Sequence, residues 1–334
     1  MTVNVGVIGV GMIGKDHIRR LTTVLAGAGV SAVTDVNLDE AKKVAEGLPN
    51  ANVHSTGEEL VNDDSVDAVL VCSWGPTHEE YVLAAIAAGK PVFCEKPLAT
   101  TQEACLRIIE AEVAFGRRLV QVGYMRRYDS YYRALKSVVD SGDIGAPLLM
   151  HCTHRNPSVP GHYTREMAIT DTAVHEIDMV RWMFGEEIVA TRVLKPRKNS
   201  LGGELEDPLL LIFEMSSGAL IDVETSVNIR YGYDIRGEVV GETGTAALGE
   251  FSPVTVRTNN RFAGRVPEDW RERFISAYDV EFQEWIDGVR DGGTYGPSSW
   301  DGYAAAVVSD AAVEALRSGN RSTVELAEKP ALYA

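Results

Sequence analysis

Three groups of residues have the types and spacing to do chemistry. Gly9-Val10-Gly11-Met12-Ile13-Gly14 is a G-x-G-x-x-G placed directly after the apolar run 3–8 and opening an amphipathic stretch. In that context Gly9 permits a tight turn, Gly11 lets the backbone approach a pyrophosphate, and Gly14 lets helix and strand pack closely. The helix N-terminus then offers N–H donors to the phosphate charge. Asp35 lies 21 residues past Gly14, at the end of the second apolar run, where a carboxylate accepts both ribose hydroxyls of an adenosine. Such a carboxylate repels a ribose phosphate, and the following Val36 and Asn37 supply no arginine to neutralise it. The pattern therefore favours NAD over NADP. An FAD site shares the fingerprint, but the groups described next favour a soluble hydride acceptor.

Glu95-Lys96-Pro97 follows a strand-like run ending at Cys94, so it falls at the carboxyl edge of a parallel sheet, where open α/β folds place their ligands. Lys96 there can reach a substrate hydroxyl; on spacing alone it reads equally as an ordinary loop lysine. Asp171 and His175 are four residues apart on a helical pattern, which stacks them on one face. Ala173, Ile177, Val180 and Phe184 make the apolar stripe, and Asp171, His175 and Asp178 lie nearly opposite it at about 100° per residue. The plain alternative is a solvated face with Asp171 capping the helix. An imidazole of pKa ~6.5 suits proton acceptance from a secondary alcohol near neutral pH. A zinc site built from His151, His154, His162 and His175 is disfavoured, because on a strand His151 and His154 point to opposite faces. No metal is expected.

The elements that must position these groups are legible as two rhythms. Over the first 123 residues, strands are expected at 3–8, 30–34, 68–72, 91–94 and 119–122, and helices at 14–25, 38–48, 77–88 and 101–115, with Gly89 and Gly116 as C-terminal stops. That alternation gives a doubly wound parallel sheet, a Rossmann arrangement. From 124 to 334 the rhythm changes: a helix at 128–139, a strand at 147–153, a Pro- and Gly-rich loop to 161, a helix at 172–184, extended runs at 209–215, 219–227 and 235–240, and helices at 279–289 and 300–317. This suits an α/β domain on a large, mostly antiparallel open sheet. The expected domains are 1–123, for NAD, and 124–334, for substrate.

Composition narrows the class. The chain has 334 residues, 45% of them hydrophobic and 24% charged, as in an ordinary globular protein. A net charge of −16 repels phosphate backbones and anionic lipid, so neither nucleic acid nor a membrane surface is an expected partner. The longest stretch without a charged side chain, 21–34, is shorter than the ~20 apolar residues of a spanning helix. No secretion leader is visible at the N-terminus, so a cytoplasmic location is expected. Cys72, Cys94, Cys105 and Cys152 form no C-x-x-C and read as buried free thiols.

These residues resemble one known group along nearly the whole chain: the glucose-fructose oxidoreductase, inositol dehydrogenase and rhizopine-catabolism (Gfo/Idh/MocA) family, and within it the bacterial inositol branch. The resemblance is carried by Gly9 to Gly14, Ala32 to Val36, Ser73-Trp74-Gly75-Pro76, Phe93 to Thr100, Gln121 to Asp129, His154-Arg155-Asn156-Pro157, Asp171 with Val174 to Asp178, Tyr231 to Asp234, and Trp300 to Tyr303. It implies NAD-dependent oxidation of myo-inositol at its axial hydroxyl, with an aldose or scyllo-inositol dehydrogenase as the alternative. Lys96, Asp171 and His175 take the catalytic roles by this resemblance. Gly9, Gly11, Met12, Ile13, Gly14, Asp35, Ser73, Trp74, Glu95 and Lys96 meet the cofactor, and Met125, Arg126, His154, Asn156, Asp171, His175, Asp178 and Tyr233 surround the polyol. The family resemblance also implies a homotetramer, with oligomerisation through the second domain, and often a cis Lys96–Pro97 bond. A dinucleotide-bound sensor without turnover is the contrasting possibility, against which Lys96, Asp171 and His175 stand together.

Overall fold

The computed structural model describes residues 2–250, 252 and 254–334. In chain order the first elements are β1 (Val3–Ile8), α1 (Met12–Thr23), β2 (Ala28–Thr34), α2 (Leu38–Ala45), β3 (Asn52–Val53), α3 (Gly57–Val61), β4 (Ala68–Val71), α4 (His78–Ala87), β5 (Val92–Glu95), α5 (Gln102–Phe115) and β6 (Val120–Gly123). Their six strands form one sheet in the order β3-β2-β1-β4-β5-β6, parallel at every pairing. This is the doubly wound order with its reversal beside β1. Burial explains the strand composition: Val5, Val7, Val69, Leu70 and Phe93 are fully enclosed, as strands covered on both faces require. Gly89 and Gly116 adopt φ values of +68° and +87°, the left-handed conformation that ends helices.

The remaining elements are α6 (Ser130–Ser141), β7 (Pro147–Arg155), α7 (Val174–Phe184), β8 (Ile188–Leu194), β9 (Leu209–Met215), β10 (Leu220–Ser226), β11 (Asp234–Gly241), β12 (Thr245–Ala247), β13 (Val256–Thr258), β14 (Arg261–Ala263), α8 (Trp270–Asp291), α9 (Ser299–Ser318) and β15 (Ser322–Thr323). Seven strands form a second sheet, ordered β12-β11-β7-β10-β9-β8-β15. It is antiparallel except where β7 pairs with β10. The strand β8, unmarked in the sequence reading, alternates buried and exposed positions only imperfectly.

The chain forms two compact units, the first of residues 1–124, 278–306 and 326–334, the second of 125–277 and 307–325. The expected assignment of everything past 123 to the second domain is thus corrected. The physical reason is apolar burial: Phe282, Trp285 and Ile286 of α8 are enclosed in the same core as Val5, Val7, Leu70 and Phe93. A second correction concerns 168–184. A π turn, Ala168–Ala173, precedes α7, so the 100° spacing that stacks Asp171 over His175 does not run through. Such π turns occur frequently at functional sites. Nor is the polar face of α7 solvated as a whole, since Glu176 and Asp178 are both buried.

Candidate active site

In the first unit, parallel register brings the motif residues to one edge. Ile8 pairs with Thr34 and with Val71, so Gly9, Asp35 and Cys72 leave neighbouring strands at the same carboxyl end. Glu95 pairs with Gly123, so Lys96 leaves that edge too. The glycine requirements are visible in the backbone. Gly9 has φ +95°, and a Cβ on it would stand 2.6 Å from the Cys72 carbonyl; one on Gly14 would stand 2.1 Å from the Gly9 carbonyl oxygen. A Cβ on Gly11 would meet no atom within 4 Å, so this position is open space where a pyrophosphate fits. Gly11 caps α1 without a side-chain hydrogen bond, and the first turn has no acidic residue, so the helix dipole is offered to an external anion.

A cavity of about 660 Å³ opens beside this turn, lined among others by Gly9, Gly11, Asp35, Ser73 and Trp74, within the range of roughly 300–1,000 Å³ for ligand clefts. Asp35 is shaped from both sides: its Oδ2 accepts the Val10 N–H at 2.8 Å and its Oδ1 the Asn37 N–H at 2.9 Å. Each carboxylate oxygen retains a further lone pair for a ribose hydroxyl. Glu58 and Glu80 line the same cavity, with no lysine or arginine among its lining residues. A hydrogen bond between these two carboxyls lowers Glu58 from its ordinary range and raises Glu80. The sequence reading missed both, which lie outside every motif. Trp74, 78% exposed, and Met12 and Val36 leave apolar surface uncovered around the turn. The residues present fit a dinucleotide.

The loop carrying Lys96 is tied down by groups the sequence did not flag. Lys96–Pro97 is cis. His78, buried on α4, places Nδ1 2.7 Å from the Pro97 carbonyl and Nε2 2.9 Å from that of Ser73, linking the loop after β4 to the loop after β5.

In the second unit, burial divides the residues expected around a polyol. Asp171 is exposed, and His175 and Asn156 are half-buried. Met125, Arg126, His154, Asp178 and Tyr233 are buried. Arg126, 1% exposed, gives its Nη1 to Glu176 Oε1 in a short ion pair, with the Tyr132 hydroxyl 3.4 Å away. Asp178 forms a two-pronged pair with Arg127, one arm 2.9 Å long. The His154 ring stands 6.3 Å from that of His175 and 5.7 Å, edge-on, from Tyr233. Burial alone would push Glu176 up, but the Arg126 guanidinium and His154 more than offset it and hold the carboxyl below its usual range. Burial likewise pushes the Tyr233 phenol up to about 12. Glu176 and Arg127 are thus parts of the site that sequence reading missed. Glu176 falls on the buried side of a helix whose polar residues looked solvated.

His151 and His154 sit on opposite faces of β7, one exposed and one buried, and no cluster of three metal-ligating side chains occurs among the described residues. Cys72, Cys94, Cys105 and Cys152 are free and buried. No helix among the described residues is long and apolar enough to cross a membrane.

Residues 3–124 match the model of the Gfo/Idh/MocA oxidoreductase family with its NAD-binding Rossmann fold, and residues 136–326 match that family's C-terminal α/β domain. The chain belongs to the Gfo/Idh/MocA family. It is 55% identical over 335 residues to an inositol 2-dehydrogenase of Pseudomonas savastanoi pv. phaseolicola, covering 100% of both chains. It is 56% identical over 338 residues to inositol 2-dehydrogenase 3 of Saccharopolyspora erythraea, covering 100% of this chain and 98% of the other. The crystal structure of myo-inositol dehydrogenase from Lactobacillus casei in complex with NAD(H) and myo-inositol matches with a TM-score of 0.98 at 41% identity, over 100% of both chains.

Proposed function

We propose that this chain is an NAD-dependent inositol 2-dehydrogenase that oxidises myo-inositol at its axial hydroxyl to 2-keto-myo-inositol. The observation that carries the reading is likeness along 100% of this chain, and 98–100% of theirs, to relatives named inositol 2-dehydrogenase. When bound, NAD supplies the hydride acceptor. Asp35, Glu58 and Glu80, around a cavity with no lysine or arginine among its described lining residues, favour a ribose diol over a ribose phosphate.

The chain's own residues handle the proton and the polyol. His175 takes the proton of the reacting hydroxyl as general base. Asp171 fixes the imidazole tautomer and stabilises the imidazolium that forms. Lys96 holds the reacting oxygen and stabilises alkoxide charge as it develops. The polyol meets side chains that both donate and accept, namely Asn156, His154 and Tyr233. Arg126, paired with the buried Glu176, and Asp178, paired with the half-buried Arg127, keep Met125 and the neighbouring contacts in place. The family resemblance extends this reading to a cytoplasmic homotetramer working in inositol catabolism.

The test is a comparison of kcat/KM for myo-inositol, scyllo-inositol and glucose with NAD, the product identified by NMR. The inosose from axial oxidation is expected, with side activity on glucose, whose chair presents a similar equatorial array. A higher value for glucose or scyllo-inositol, or a product oxidised at an equatorial carbon, overturns it.

A further inference from the structure

Behind Lys96 the first unit buries a chain of polar groups that the mechanism above leaves unused. His17, on α1, is fully enclosed. Its Nε2 lies 2.7 Å from Glu95 Oε1 and its Nδ1 2.7 Å from Arg20 Nη1. A guanidinium only donates, so Nδ1 accepts, and Nε2 carries the proton that it donates to Glu95. Burial favours this neutral imidazole. The second oxygen of Glu95, Oε2, accepts the backbone N–H of Lys96 at 3.2 Å. Arg20 is itself anchored, its Nε donating to Asp279 Oδ1 at 2.7 Å and its Nη2 to Asp16 Oδ2 at 2.9 Å. The direction of each bond is therefore fixed: Arg20 donates to Asp279 and to His17, and Glu95 accepts from His17 and from Lys96. The rings of Phe282, Tyr278 and Phe93, at 4.2, 5.7 and 6.3 Å, enclose the imidazole.

We propose that His17 and Glu95 are positioning residues that hold the Lys96 backbone, and so aim its ammonium at the reacting oxygen; this rests on the role given to Lys96 above. The geometry explains why an imidazole stands in an aromatic core directly behind the glycine turn. A phenyl ring would pack there as well, but it would take from the buried Glu95 Oε1 the donor that His17 supplies. Burial alone raises Glu95, and the His17 hydrogen bond together with the Lys96 charge and backbone N–H hold it below its ordinary range. The titratable and charged groups around Glu95 are His17 and, further off, Arg20 and Asp16 from α1, Lys96 from its own loop, and the Cys72 and Cys94 thiols, both raised by burial and by Glu95.

Two variants separate positioning from packing. His17→Phe keeps the ring against Phe282 and removes the donor; His17→Gln loses the ring and keeps a donor. Steady-state kinetics across the pH range of activity, beside calorimetric NAD titration, should show His17→Phe with kcat reduced about 10²-fold and NAD affinity retained. Its acid limb should move to higher pH, because Glu95 without its donor protonates more readily. His17→Gln should keep most of kcat and the original profile. Equal activity in the two variants, or a loss in His17→Phe with an unmoved acid limb, overturns the proposal. Should His17→Phe fail to fold, Glu95→Gln decides: a comparable, pH-independent fall in kcat is expected, and full activity overturns it. Lys96→Ala separates this failure from that of the underlying reading, since turnover surviving there removes the role of Lys96 and the positioning proposal with it.

Discussion

Glu176 Oε2 lies 2.9 Å from His154 Nδ1, and Arg126 Nη2 lies 3.0 Å from the same nitrogen. The carboxylate only accepts and the guanidinium only donates, so the two make opposite demands on that ring atom. Across the ring, Nε2 has the Tyr233 hydroxyl 3.4 Å away. A buried acid outside the expected site residues thus meets one of the residues expected around the polyol.

Glu176→Gln is expected to cost about 3–5 kcal/mol at neutral pH, because it leaves the buried Arg126 charge uncompensated. The pH dependence follows from the direction of the shift. A folded pKa below the ordinary 4.5 means that Glu176 stabilises the fold above that value and loses its contribution as pH falls through the lowered folded pKa. Urea unfolding at a series of acidic pH values should give a shallower decline for the variant than for the unaltered protein. Parallel curves would show that Glu176 does not carry this dependence.

Asp35→Ser should lower NAD affinity and raise the relative use of NADP, since it removes an acceptor for the ribose diol and a charge opposing a 2′-phosphate. Glu58→Gln should add to the second effect with little loss of NAD affinity. The measurement is kcat/KM for both cofactors in the single and double variants. Preference of the unaltered protein for NADP would contradict the reading of the cavity.

Lys96→Ala, Asp171→Asn and His175→Ala should each lower kcat strongly, within the roughly 10²–10⁴-fold range of positioned acid–base groups, and leave NAD binding nearly unchanged. Rapid-mixing turnover measurements beside calorimetric NAD titration check this. Near-normal turnover in His175→Ala would move the proton path to another group.

Asp129 has two duties. It caps α6 by accepting the Tyr132 N–H at 3.1 Å, and it holds the buried Arg273, whose Nη2 is 3.0 Å away. Asp129→Ala should therefore cost more than the ~1 kcal/mol of a lost cap, approaching the roughly 3–5 kcal/mol of a broken buried pair. In the Arg273→Met background, chemical denaturation should show the same substitution costing only the cap. An unchanged cost would mean that the pair contributes nothing.

By itself the sequence determined those features whose requirements are met by strong local patterns along the chain. Gly9, Gly11 and Gly14 before an amphipathic helix, and Asp35 one strand later, specify the nucleotide turn because each requirement is met within a few residues of its motif. Alternating apolar runs likewise specify the parallel sheet, since a strand covered on both faces needs continuous apolar residues. The packing of Phe282, Trp285 and Ile286 into the first core was not legible, because apolar periodicity says that a face is buried and not against what. The π turn at Ala168–Ala173 was hidden for a related reason: it changes hydrogen bonding without changing composition. The partners Glu176, Arg127 and His17 also read as ordinary polar residues, and Glu95 reads as a cofactor contact rather than as a partner of His17. Only when distant segments meet does a buried charge require a counter-charge, and that requirement, set by tertiary burial, determines which polar residues orient the site.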